Sequence, residues 1–182
     1  LHIRILIGDF AGDRKSFRNV MKKREWNKYI HHNKSTYGDC QLINALNAYY
    51  YLTGKVYCAQ RSKKYERLVN LCKCRHGAAI GIEKVWDKIG ITENKRYVRD
   101  DKPRFLKQNS FLEVIIWSKF YGFHSVSVVD YIKRADCLRI TNFGRIITKN
   151  NGWMFWEDLC KYLCENPDKS EPRYEFRTFK LK

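Results

Sequence analysis

Long apolar runs are missing from this chain of 182 residues. No stretch approaches the ~20 uninterrupted apolar residues of a membrane-spanning helix, so no membrane association is expected. The opening Leu1-His2-Ile3-Arg4-Ile5-Leu6-Ile7 alternates like a strand and lacks the apolar core of a signal peptide. There is no initiator methionine, a feature of either a processed product or a sequence given without its beginning. Internal repeats and low-complexity tracts are absent too, which excludes solenoid and array architectures. Apolar residues at 44% and aromatics at 15% exclude a disordered chain. The length suits one well-packed domain, or two lobes sharing a cleft, and is too short for several domains. An even cysteine count is lacking as well: seven cysteines without a signal peptide point to free thiols in a reducing, intracellular compartment.

Acidic residues are scarce. Nineteen Asp and Glu stand against thirty-six Lys and Arg, a formal net charge of +17. Basic clusters occur at Arg14-Lys15-Ser16-Phe17-Arg18, Lys22-Lys23-Arg24, Arg61-Ser62-Lys63-Lys64, and Lys73 with Arg75. Such a surface meets a polyanion, either nucleic acid or an acidic protein, or else is simply a solvated face. No recognisable RNA or DNA motif decides between them. The abundance of Lys, Asn, Ile and Tyr fits an AT-rich source such as a virus, and a virion-associated basic protein is one expectation. Cys58, Cys72, Cys74 and His76 could supply four zinc ligands, but the CxC spacing departs from the usual knuckle. Ordinary thiols are expected there, with no metal and no cofactor.

The strongest chemical signal is a cysteine at a helix start. After Gly38-Asp39-Cys40-Gln41, the residues Leu42, Ala45, Leu46 and Tyr49 recur at the spacing of one helical face, and Gly54 closes the run. Cys40 in the first turn meets free backbone N–H groups and the positive end of the helix dipole, which bias a thiol toward thiolate and can hold an oxyanion. Asp39 reads as the helix cap. Further on, Gly122-Phe123-His124-Ser125-Val126-Ser127-Val128-Val129-Asp130-Tyr131 alternates like a strand with His124 at its mouth. Cys137-Leu138-Arg139-Ile140-Thr141-Asn142-Phe143-Gly144 reads as the next strand, with Asn142 at its end. A hairpin through 132–136 puts His124 and Asn142 on neighbouring strands, where Asn142 can orient the imidazole while its other nitrogen faces Cys40.

GDCQLINAL resembles the nucleophile helix of papain-like, and especially calpain-like, cysteine peptidases, and GFHSVSVVDY with LRITNFG resembles their His and Asn strands. The likeness covers roughly 37–162. It implies an α+β fold in which a helical lobe, about 14–95, carries Cys40 and packs on a twisted antiparallel β-sheet of about 109–182, with 1–10 as an added strand. It also implies hydrolysis of peptide or isopeptide bonds in a protein or peptide substrate by a triad of Cys40, His124 and Asn142. The family's oxyanion glutamine, about six residues before the cysteine, is absent, and Asn33 is the amide available to join the Cys40 N–H. The family's aromatic beyond the asparagine corresponds to Phe143, directly adjacent. Tyr37, Phe143 and Trp153 are the candidate cleft-lining residues.

The remaining elements expected are a basic helix over 16–29, helices over 65–72 and 78–89, a connecting loop over 96–109, strands over 111–117, 124–131 and 137–142, a helix over 156–164 and a strand over 174–181. Cys160 and Cys164, one helical turn apart, read as core. Two other functions fit the same motifs. One is a basic papain-like domain that has lost catalysis and serves a structural or nucleic-acid-associated role; the other is a cysteine-dependent acyltransferase.

Overall fold

The structure is a computed structural model that describes residues 38–75, 78–99, 111–118, 122–132, 137–141, 153–163 and 174–182. Helices α1 (Cys40–Thr53) and α2 (Lys63–Cys72) come first, followed by a two-stranded hairpin of β1 (Cys74–Arg75) and β2 (Ala78–Ala79) and by α3 (Ile82–Ile89). The rest builds one sheet from β3 (Ile91–Arg99), β4 (Leu112–Ser118), β5 (Gly122–Ile132), β6 (Cys137–Thr141), β7 (Trp153–Phe155) and β8 (Tyr174–Leu181), with α4 (Trp156–Leu163) between the last two strands. Its strand order is β3-β8-β4-β5-β6-β7, and every pairing is antiparallel. The α+β class expected from the sequence is therefore present.

Each end of α1 has a local cause. The Asp39 carbonyl accepts the first helical bond, from the Ile43 N–H at 2.9 Å, and Gly54 closes the helix at φ +69° with its N–H on the Tyr50 carbonyl. That left-handed conformation is the one glycine adopts without a Cβ penalty. Helix α2 is capped by the Ser62 side chain, which accepts the Tyr65 N–H at 3.2 Å. Gly81, before α3, is fixed by crowding: a Cβ there would lie 2.9 Å from the Leu71 carbonyl oxygen.

Alternation along the strands separates two cores, one on each face of the sheet. Leu112, Val114, Val126, Val128, Leu138, Ile140 and Phe176 point to one face, where Met154, Trp156 and Leu159 cover them. On the other side Leu42, Ala45, Leu46 and Ala48 of α1 pack with Tyr65, Leu68, Val85, Trp86 and Ile89 of the neighbouring helices, and with Ile91 and Phe179. Val129 follows Ser127 onto this second face, and the bulge between Val128 and Asp130 returns Tyr131 instead of Asp130 to the first core. Helix α1 is thus enclosed, with every residue from Cys40 to Ala48 buried.

Three expectations needed revision. Arg96 to Arg99 belong to β3, paired with Arg177 to Tyr174 of β8, where a loop was expected, because an edge strand tolerates the charged sequence Glu93 to Arg99. Ala78 and Ala79 pair with Arg75 and Cys74, so the helix starts at Ile82 and not at 78. Trp153 to Phe155 form a short strand on β6 that alternation over three residues is too brief to announce. The strand expected over 1–7, the helix over 16–29, and Cys164 lie outside the described residues, as does the Cys160 side chain. No helix among the described residues is long and apolar enough to cross a membrane.

Candidate functional site

Cys40 is the first residue of α1 and is 1% exposed. Its sulfur receives two backbone N–H groups, from Ser125 on β5 and from Gln41 in its own helix turn. Ser125 follows His124 directly, so the fold delivers the thiol to the very strand segment that carries the candidate base. The helix reaches this point because it is docked along β5 and β6 by buried amides. Asn44 donates to the Ser125 hydroxyl and accepts from the Ser127 hydroxyl at 2.5 Å, while Asn47 donates to the Thr141 hydroxyl at 3.2 Å. Ser127 and Thr141 are themselves cross-strand partners.

Cys40, Asn44 and Asn47 fall on one helical stripe at i, i+4 and i+7, opposite Leu42, Ala45 and Leu46. The strand answers with the alternation Ser125-Val126-Ser127-Val128, small hydroxyls toward the helix and valines toward the other core. Sequence reasoning found the apolar stripe and missed the polar one. The regular spacing of the two asparagines and the Ser-Val alternation were its available signals.

Electrostatics at this point differ from a helix-end thiolate. Burial pushes the Cys40 thiol up to about 12. The Ser125 and Gln41 amides pull the other way, and the Glu113 and Asp39 carboxylates add to the rise. Loss of water also pushes His124 down, to about 4. At neutral pH both groups rest uncharged, a thiol and a neutral imidazole. The helix end does not hold a thiolate here, because desolvation of a nearly fully buried sulfur outweighs the partial charge of the helix terminus.

Asp39 does not cap α1. Its backbone sits at φ −91°, ψ 18° and its side chain makes no cap bond. One carboxylate oxygen accepts the Tyr65 hydroxyl from α2, and the other, Oδ1, is buried with no hydrogen-bond partner among the described residues. Tyr65, 1% exposed, therefore tethers the residue preceding Cys40 to the helical layer.

Behind the Ser125 segment lies a buried acid. Glu113, 1% exposed on β4, accepts the Ser125 hydroxyl at 2.6 Å and the Asn44 amide at 3.4 Å. Arg177 on β8, its register partner, holds Nη1 4.0 Å from the Glu113 carboxylate, 3.5 Å from Glu93 and 2.5 Å from Glu175 through its other nitrogens. Arg96 adds a 2.8 Å ion pair to Glu175. Burial raises Glu113 above the usual carboxylate range against the opposing pull of Arg177, Ser125 and Asn44.

The structure brings Cys40 to the backbone of Ser125, on the face of β5 toward α1, whereas His124 alternates with Val126 and Val128 onto the opposite face and its side chain is not brought to the sulfur. Trp153 pairs with Arg139, and through it with Asp130, six residues or roughly 20 Å of strand from His124. It is not brought to the Cys40 end of β5. Asn33, Tyr37, Asn142 and Phe143 lie outside the described residues; the described β5–β6 ladder ends at Ser127 and Thr141. Cys58, Cys72 and Cys137 are buried thiols outside any disulfide, and no three His, Cys, Asp or Glu side chains gather as a metal set among the described residues. Compared with family models, with curated proteins and with solved structures, the chain gives no match.

Proposed function

We propose that the chain is a cysteine hydrolase of papain-like type, cleaving peptide or isopeptide bonds with Cys40 as nucleophile and His124 as base. The observation that carries this reading is the seat of the Cys40 sulfur, at a helix N-terminus and on the backbone N–H of the residue after His124. The Cys40 thiol and its amide donors meet from two elements that are far apart in sequence, while the proposed chemistry requires the imidazole of His124, which alternates with Val126 onto the opposite face of β5, to reach the sulfur. Asn142, directly after Thr141 in the chain, is the proposed orienting residue, and Asn33 the proposed second oxyanion donor.

Two uncharged groups at rest favour a general-base route over a preformed ion pair. The His124 imidazole takes the thiol proton as the sulfur bonds to the substrate carbonyl carbon, and the carbonyl electrons move onto oxygen. Amides at the start of α1 stabilise that oxyanion. Collapse breaks the C–N bond, the amine leaves with the proton held by His124, and a thioester remains. Water then gives a proton to His124, attacks the thioester and releases a carboxylic acid and the thiol.

A second reading is favoured by one observation: a thiol at about 12 and 1% exposed is a poor resting nucleophile. On that reading the domain keeps a papain-like core without catalysis and works through its basic surface. Incubation with a peptide library and with branched isopeptide substrates, for the native chain, Cys40→Ser and His124→Ala, separates the two. The hydrolase reading expects cleavage by the native chain that both variants lose. Equal product from Cys40→Ser, or none from any protein, contradicts it.

A further inference from the structure

A chain of hydrogen bonds ends on Glu113: Ser127 donates to Asn44 on the helix, Asn44 donates back to Ser125 on the strand, and Ser125 donates to the Glu113 carboxyl. The last donor, Ser125, is also the residue whose backbone N–H rests on the Cys40 sulfur. Glu113 thus fixes the position of that amide through the Ser125 hydroxyl and, in its ionised form, puts a negative charge on the same side of the sheet as the thiol.

The charge is incompletely balanced. Among the described residues, Glu93, Glu113 and Glu175 share Arg177 and Arg96, three carboxylates for two guanidinium groups, and Glu113 has the longest of the Arg177 contacts. Arg177 is itself committed elsewhere, 2.5 Å from Glu175 and over the Trp86 ring with its guanidinium carbon 5.5 Å from the ring centre. A surplus of negative charge in a buried site acts over several ångströms, because little water screens it.

We propose that Glu113 is a positioning residue and a brake for Cys40, holding through Ser125 the strand amide on which the sulfur rests while its carboxylate opposes formation of the negative sulfur needed for attack. The inference rests on the hydrolase reading for its biological meaning, since Cys40 is the reacting atom in both. Among the described residues, the charges acting on the sulfur are Glu113 on β4 and Asp39 on its own segment; Arg177 and Glu175 on β8 and Glu93 on β3 surround Glu113, and His124 alternates onto the opposite face of β5.

The test is the rate of Cys40 alkylation by iodoacetamide between about pH 4 and 9, read by mass spectrometry of the Cys40 peptide, for the native protein, Glu113→Gln and Glu113→Asp. Glutamine keeps an acceptor for Ser125 and removes the charge; aspartate keeps the charge. Glu113→Gln is expected to react faster than native on the order of tenfold near neutrality, the change that one pKa unit makes in thiolate. The advantage fades toward acid pH, where native Glu113 is itself protonated, and Glu113→Asp stays close to native. A merely loosened structure gives a ratio independent of pH, and that outcome overturns the proposal, as does a folded Glu113→Gln that reacts no faster than native. Should Glu113→Gln not fold, the His124→Ala protein carries the test alone. Its log rate is expected to rise by less than one decade per pH unit while Glu113 ionises, and a slope of one throughout contradicts the brake. If His124→Ala also leaves Cys40 reactivity at neutral pH unchanged from native, the hydrolase reading fails, whatever the Glu113 ratio shows.

Discussion

The two faces of the sheet use opposite means to hold their layers. The face under α4 is closed by Leu112, Val114, Val126, Val128, Leu138, Ile140 and Phe176, all nearly or fully buried apolar side chains. The face under α1 places Glu113, Ser125, Ser127, Thr141 and Arg177 against Asn44 and Asn47 in the same depth of burial. Apolar packing is non-directional and tolerates small slides, whereas a hydrogen-bonded helix has one register. The polar face fixes where Cys40 lies along β5, and the apolar face supplies the stability that such desolvated polar groups do not.

That contrast breaks most sharply at Phe176, fully buried between β4 and the α4 side. Phe176→Ala is expected to destabilise the fold by about 3–5 kcal/mol in denaturant titration. Because the Cys40 seat is on the other face, the pH dependence of Cys40 alkylation should remain native in the folded fraction. A changed profile would show that the two faces are coupled.

Acid pH separates the faces next. Burial lowers His124 from 6.5 to about 4, so between those values the unfolded chain binds more protons than the folded one. Stability therefore falls as pH drops from 6.5 toward 4 and levels out below, by about 3 kcal/mol across the span. Thermal melting at a series of pH values should show this dependence in the native chain and its loss in His124→Ala.

Smaller effects sharpen the picture. Asn44→Ala removes the donor to Ser125 and the acceptor for Ser127, leaving buried hydroxyl groups unsatisfied, at a cost of about 1–3 kcal/mol. Its distinctive mark should be altered Cys40 reactivity in a protein that still melts cooperatively, an outcome that an apolar truncation of similar cost, such as Val114→Ala, should lack. At the low end, Lys182→Ala breaks an ion pair with Asp87 whose side chains are 48% and 67% exposed, and should change the melting midpoint by an amount equivalent to at most about 0.5 kcal/mol.

Much of the apolar scaffold was legible in the sequence. The stripe Leu42, Ala45, Leu46, Tyr49, the terminating Gly54 and the alternation of β5 led to the observed α1 and β5. The burial of Asn44, Asn47, Glu113 and Arg177 was not legible, because a polar residue on a helix or strand reads as solvent-facing until its partners in other segments are known. Glu113 finds its partners 12 and 69 residues away. The protonation state of Cys40 was misjudged for a related reason: the helix end is a local feature, while the desolvation that outweighs it comes from the whole packed layer. β3 hid behind its charges, since alternation is weak in an edge strand whose cross-strand contacts include ion pairs such as Arg96 with Glu175.

The direct measurement is trapping of an acyl group on Cys40. The native chain and His124→Ala would be treated with an activated ester at neutral pH, quenched in acid and mapped by peptide mass spectrometry. The proposed chemistry expects a thioester on Cys40 in the native chain that decays with time in water, and little or none when His124 is alanine. No adduct on Cys40, or equal adducts in both proteins, would contradict the pairing of Cys40 with His124 as nucleophile and base.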